Sequence, residues 1–148
     1  MKYFQFFFRR PVPQFTACFS AGGFILLFLF SFSLRAQTLY FCEGADSIGK
    51  PVNSNDSFFI AKNGGYITLL VSVNGKLFSD YAEFVIYNFD AATGKEIYDN
   101  TVRVDAAYNW TYFWKQIVFY NEGIYHVHVF NDEKKQLCEG SVTILKEE

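Results

Sequence analysis

Apolar side chains recur along this chain in short runs, many of them at every second position, and clusters of polar turn residues separate the runs. Residues 65–73, GYITLLVSV, are apolar and β-branched and lie between Asn63-Gly64 and Asn74-Gly75, a pattern that predicts a strand closed by turns at both ends. Residues 82–90 predict the next strand. They lead through Ala91-Ala92-Thr93-Gly94 into residues 95–105, which read as one strand or two short ones. Residues 112–120 run up to a turn at Asn121-Glu122-Gly123, and residues 123–131 and 136–146 face each other across a polar loop as a closing hairpin. Residues 38–43 and 57–61 add two shorter candidates, and residues 44–57 read as loop. No stretch of ten residues beyond position 37 carries apolar side chains at helical spacing, so the expected fold is all-β, an antiparallel sandwich of about seven strands.

The first quarter of the chain has a different composition. Lys2, Arg9 and Arg10 precede an uninterrupted apolar run over residues 17–34, and Arg35-Ala36 closes it. A basic start, an apolar middle and a small closing residue make an export signal with its cut between Ala36 and Gln37, although Leu34 stands where a small residue is preferred. The alternative is an uncleaved anchor, since 18 residues at helical rise span about 27 Å. Either form places residues 37–148 outside the cytoplasm: secreted, periplasmic or on the cell surface. The signal segment holds four of the 13 basic residues and no acid, so the remaining domain carries nine basic against 15 acidic side chains, net −6. That balance excludes a basic nucleic-acid surface and a polybasic membrane face. A membrane role is left only to an uncleaved N-terminal segment.

Two cysteines, Cys42 and Cys138, lie beyond the signal. In an oxidising compartment an even pair is a candidate disulfide, here enclosing most of the domain.

Asn121-Glu122-Gly123-Ile124-Tyr125-His126-Val127 resembles the approach to the penultimate strand of immunoglobulin domains, and also the ending of bacterial immunoglobulin-like and polycystic-kidney-disease-type modules. The resemblance covers about the last 35 residues. It implies that Tyr125 bonds its hydroxyl back to nearby backbone as a tyrosine corner, with Val127 and Val129 facing the core. Asn121 and Val127 depart from the Asp and Cys of true immunoglobulins, and the implication concerns fold, with little bearing on activity.

Tyr108, Trp110, Tyr112 and Trp114 alternate, so on one extended strand they share a face at about 6.8 Å spacing. Such a row is either a stacking platform for a glycan or the aromatic filling of a small core. His126 and His128, two apart on a strand, are weak metal candidates that lack a third ligand in the sequence, and no cofactor is implied. The loops at Asn53 to Asp56 and Asp132-Glu133 are oxygen-rich without calcium-site spacing. No nucleophile–base pattern, phosphate loop or dinucleotide fingerprint occurs, so the chain reads as a non-enzymatic binding module. A protein partner is the first expectation. A glycan held by the aromatic strip is the second, and an inhibitor presenting residues 44–57 is the third.

Overall fold

A computed structural model describes residues 37–147. The expected signal segment lies outside the described residues. Ten strands form in chain order: β1 Thr38–Cys42, β2 Gly44–Ala45, β3 Pro51–Val52, β4 Ser57–Ile60, β5 Gly65–Ser72, β6 Tyr81–Asp90, β7 Lys95–Asp105, β8 Tyr112–Phe119, β9 Gly123–Asn131 and β10 Gln136–Lys146. They assemble into a three-stranded sheet in the order β1-β5-β8, a five-stranded sheet in the order β4-β10-β9-β6-β7, and the small pair β2-β3. All pairings are antiparallel except β4 with β10, which run parallel. Residues 95–105 are one strand, and residues 44–57, expected as loop, contain the β2-β3 hairpin and the start of β4.

The two larger sheets pack face to face, because each strand buries alternate side chains. Leu69 and Val71 of β5, Phe84 and Ile86 of β6, Val127 and Val129 of β9, and Val142 and Ile144 of β10 meet in one fully buried cluster. Phe113 of β8 joins them, its ring 5.8 Å from that of Phe84. Gly140 leaves room for β1 to close on the large sheet: a side chain there would stand 3.0 Å from the Phe41 ring.

β5 is buried on both faces from Ile67 to Val71, which explains its unbroken apolar run. Its inner face meets the large sheet. On the outer face Thr68 donates to the Glu43 carbonyl at 3.1 Å, and Leu70 is flanked in register by Tyr40 and Trp114. The β2-β3 hairpin folds over the same face. Tyr112 donates its hydroxyl to the Ser47 carbonyl at 3.2 Å, and its ring lies against Gly49, where a Cβ would approach ring carbons to 2.3 Å. Gly49 also has φ +78, so two independent constraints require glycine there.

Tyr125 is buried at the start of β9 and donates its hydroxyl to the Asn121 carbonyl, four residues back, at 3.1 Å. This bond ties the turn before β9 to the core.

The expected disulfide is absent. Cys42 and Cys138 are both free thiols. Cys42 pairs with Thr68 and points to the outer face of the small sheet, its sulfur 3.5 Å from the Thr68 carbonyl. Cys138 pairs with Val129 of β9 and packs against the core between the sheets. A bridge would have to pass through the small sheet. The two positions share a sequence context and a compartment, but the period of two sends them to different layers.

Two outcomes follow. Phe113→Ala should cost about 3–5 kcal/mol of unfolding free energy, whereas Trp114→Ala should cost less than about 1 kcal/mol, as read by chemical denaturation. Alkylation of the unfolded, unreduced chain should modify both Cys42 and Cys138 on peptide mapping. Labelling that appears only after reductant would contradict the free thiols.

Candidate functional site

The aromatic row is broken by the fold. β8 begins only at Tyr112, and residues 107–111 form a turn in which Trp110 N–H donates to the Ala107 carbonyl at 2.9 Å. Three backbone bonds pin this turn to the segment after β5: Val73 N to Thr111 O at 2.8 Å, Leu77 N to Trp110 O at 2.8 Å and Phe78 N to Tyr108 O at 3.0 Å. The four rings therefore do not share one strand face, and none of them belongs to the buried core. The core position in this stretch goes to Phe113, of opposite parity.

What results is an exposed aromatic patch on a rigid base. Tyr108 is 58% exposed, Trp110 42% and Trp114 49%, while Tyr112 is half-buried beneath Gly49. Phe78, which the sequence reading passed over, joins the patch: its ring meets that of Tyr108 edge to face at 5.1 Å and is 57% exposed. Its backbone has φ +54, a left-handed conformation that is costly for a bulky side chain. The sequence signal for it was the preceding Asn74-Gly75 turn, which gives no hint of an aromatic beyond it. A groove of about 550 Å³ runs beside Trp110, Tyr112 and Trp114, and Val104 of β7 also lines it.

The outer face of the large sheet carries a second constellation. Because Tyr125, Val127 and Val129 point inward, His126 and His128 point outward and are partly covered. His126 Nδ1 lies 2.7 Å from Glu96 Oε1, and His128 Nε2 lies 3.4 Å from the same oxygen. His128 Nδ1 faces Glu139 Oε2 at 3.2 Å, and Gln136 donates its amide to that carboxylate at 2.7 Å. Phe89 stacks on His126 at 4.5 Å, and Tyr87 meets His128 edge to face at 5.5 Å. The hydrogen bond from His126, with a smaller contribution from His128, holds the Glu96 carboxyl below its ordinary range. Sequence reasoning missed Glu96 and Glu139, since pairing of distant strands alone brings them here. Among the described residues no group of three His, Cys, Asp or Glu side chains that could hold a metal ion is present.

The remaining candidates are accounted for locally. Asp132 accepts the Asp80 N–H at 3.1 Å, which holds its carboxyl below the usual range. The Asn55 side chain accepts the Asp56 N–H at 2.8 Å. The β2-β3 hairpin is braced by Asp46, which accepts from Ile48 and Lys50, and it presents Ile48 exposed beside its bend. Burial pushes the Cys42 thiol up and the Cys138 thiol up to about 12, opposite to the shift a thiolate nucleophile needs. Among the described residues no helix is long and apolar enough to cross a membrane.

No protein-family model matches the chain, and no curated protein matches it. Solved structures do. An immunoglobulin-like protein from Pseudomonas aeruginosa is 14% identical, with 72% of this chain and 91% of that one covered at a TM-score of 0.45. The domain itself is an all-β sandwich of a three-stranded and a five-stranded sheet. The PmoD soluble domain from Methylocystis is 14% identical over 76% of this chain and 94% of its own, at 0.47. A superoxide reductase (neelaredoxin) from Ignicoccus hospitalis is 9% identical over 76% and 80%, at 0.41. Likeness at these values carries no argument about activity.

The depressed Glu96 carboxyl gives a signed expectation. A group whose folded pKa lies below its unfolded value stabilises the fold above the ordinary carboxylate range and loses that contribution as pH falls through the folded value. Glu96→Gln should therefore flatten the loss of thermal stability below about pH 4.3, the unperturbed glutamate value. An unchanged acid limb in melting curves would contradict the contact.

Proposed function

We propose that this chain is an exported, non-catalytic binding domain that holds an extended segment of a partner protein along the edge of β8. The observation that supports this most is the exposure of Trp110 and Trp114 beside a groove at the margin of the small sheet. Among the described residues β8 has β5 as its only ladder neighbour, so the other side of its backbone is free for a partner strand. Trp and Tyr side chains supply most of the energy at protein interfaces when they enter a partner's pockets. The strained backbone at Phe78 adds to the reading, because strain of this kind collects at clamps and binding surfaces.

The other long edge, β7, is less suited. It carries Lys95, Glu96, Asp99, Arg103 and Asp105, and dense charge is how sheets blunt an edge against pairing. β8 bears one charge, Lys115, so an incoming segment with an acidic or amide side chain opposite it would be favoured. Export follows from the N-terminal composition and places the partner outside the cytoplasm.

A second reading keeps a glycan as the ligand, on the strength of the same exposed rings of Tyr108, Trp110 and Trp114. One experiment separates them. Affinity capture from envelope extract with the full-length chain should retain a protein that Trp114→Ala and Trp110→Ala each release at least tenfold. Amide hydrogen exchange along β8 should slow when that protein is added. Retention of polysaccharide with no β8 protection would favour the glycan, and capture indifferent to both substitutions would overturn the groove.

A further inference from the structure

The two larger sheets are unequal, three strands against five, and β7 is one of the strands left over. Phe41 of β1 lies against Gly140 of β10, and Phe113 of β8 packs on Phe84 of β6. β7 is the next strand beyond β6, one step outside the last strand of the small sheet. Val102 and Val104 on its inward side are accordingly only half-buried against the core, and Val104 lines the groove beside Trp110 and Trp114.

Neighbouring strands stand about 4.8 Å apart in either sheet, so a strand added beside β8 comes to lie over β7. Its inward side chains would meet a defined row. Phe113 and Ile117 are buried on the inward side of β8, and Lys115, of the same parity and between them, is exposed. Lys115 stands in register with buried Leu69 and has no ion-pair partner among the described residues.

Resting on the reading of β8 as a partner-binding edge, we propose that the partner segment becomes a fourth strand of the small sheet and carries an apolar–acidic–apolar pattern on its inward side. Side chains directly opposite across a strand pair lie within about 5.5 Å of each other, where opposite charges attract and like charges destabilise the pair. The two apolar positions fall beside Phe113 and Ile117 and cover Val102 and Val104 of β7. The acid falls beside Lys115 and supplies the partner that the lysine lacks. The pattern reads alike in both directions, so it holds for parallel and for antiparallel addition. β8 itself contains no acid, so the β8 of a second copy does not supply the pattern. The occupant is therefore a different chain, an extended segment in which every second residue is apolar except for one Asp or Glu.

The test uses the full-length chain and end-capped peptides that alternate threonine with valine around a central glutamate or a central lysine. Anisotropy of the labelled peptide reads affinity, and amide hydrogen exchange reads pairing along β8. The glutamate peptide should slow exchange over residues 112–119 and bind about fivefold more tightly than the lysine peptide, a difference that shrinks at high salt. Lys115→Glu should reverse the preference. Val104→Thr, close in shape, should weaken the glutamate peptide about threefold by placing a hydroxyl in the covered floor, with an unchanged thermal midpoint showing that the fold is kept. Equal binding of the two peptides with β8 protected would overturn the pairing with Lys115 and leave strand addition standing. Binding indifferent to Val104→Thr would overturn the covering of β7. No protection of β8 by either peptide would overturn this proposal together with the reading it rests on, and a dimer in sedimentation that the glutamate peptide fails to dissociate would make a second copy the occupant instead.

Discussion

Phe113 packs against Phe84 between the two sheets, and this contact decides the direction of its neighbours on β8. A strand has a period of two, so fixing Phe113 inward turns Tyr112 and Trp114 outward. A slip of one residue would bury Trp114 and expose Phe113, Ile117 and Phe119 together. The same rule operates on β9. Burial of Tyr125, Val127 and Val129 turns His126 and His128 to the opposite face, where Glu96 and Glu139 meet them. Both candidate sites are thus consequences of what the core takes in.

The two outer faces are finished differently. On the small sheet the β2-β3 hairpin covers one end, with Tyr112 bonded to Ser47 and seated on Gly49, while Trp114 stays open beyond it. On the large sheet no comparable cover forms among the described residues, and that face is a mixed field of imidazoles, carboxylates and aromatic rings.

Strand positions were legible because alternation and turn residues agree along most of the domain. The seven longest segments read from the pattern match observed strands to within a residue or two, and the hydroxyl of Tyr125 bonds to Asn121. Pairing was less legible. Nothing local says that β4 lies parallel to β10, or that Glu96 crosses to His126 thirty residues on. The aromatic alternation misled for a specific reason: Tyr108 and Trp110 lie in a turn held by backbone bonds to residues 73–78, and period-two reasoning does not extend through a turn. Cys42 and Cys138 misled likewise, because compartment and parity of number say nothing about which layer each thiol faces.

Trp110 and Trp114 are the only tryptophans in the chain, which makes the direction of β8 directly observable. Intrinsic fluorescence of the native protein, with acrylamide or iodide as quencher, reports on both at once. With Phe113 inside and both indoles on the surface, native emission should be red-shifted, readily quenched and little changed on unfolding. Blue-shifted emission protected from quencher and lost on unfolding would contradict the account.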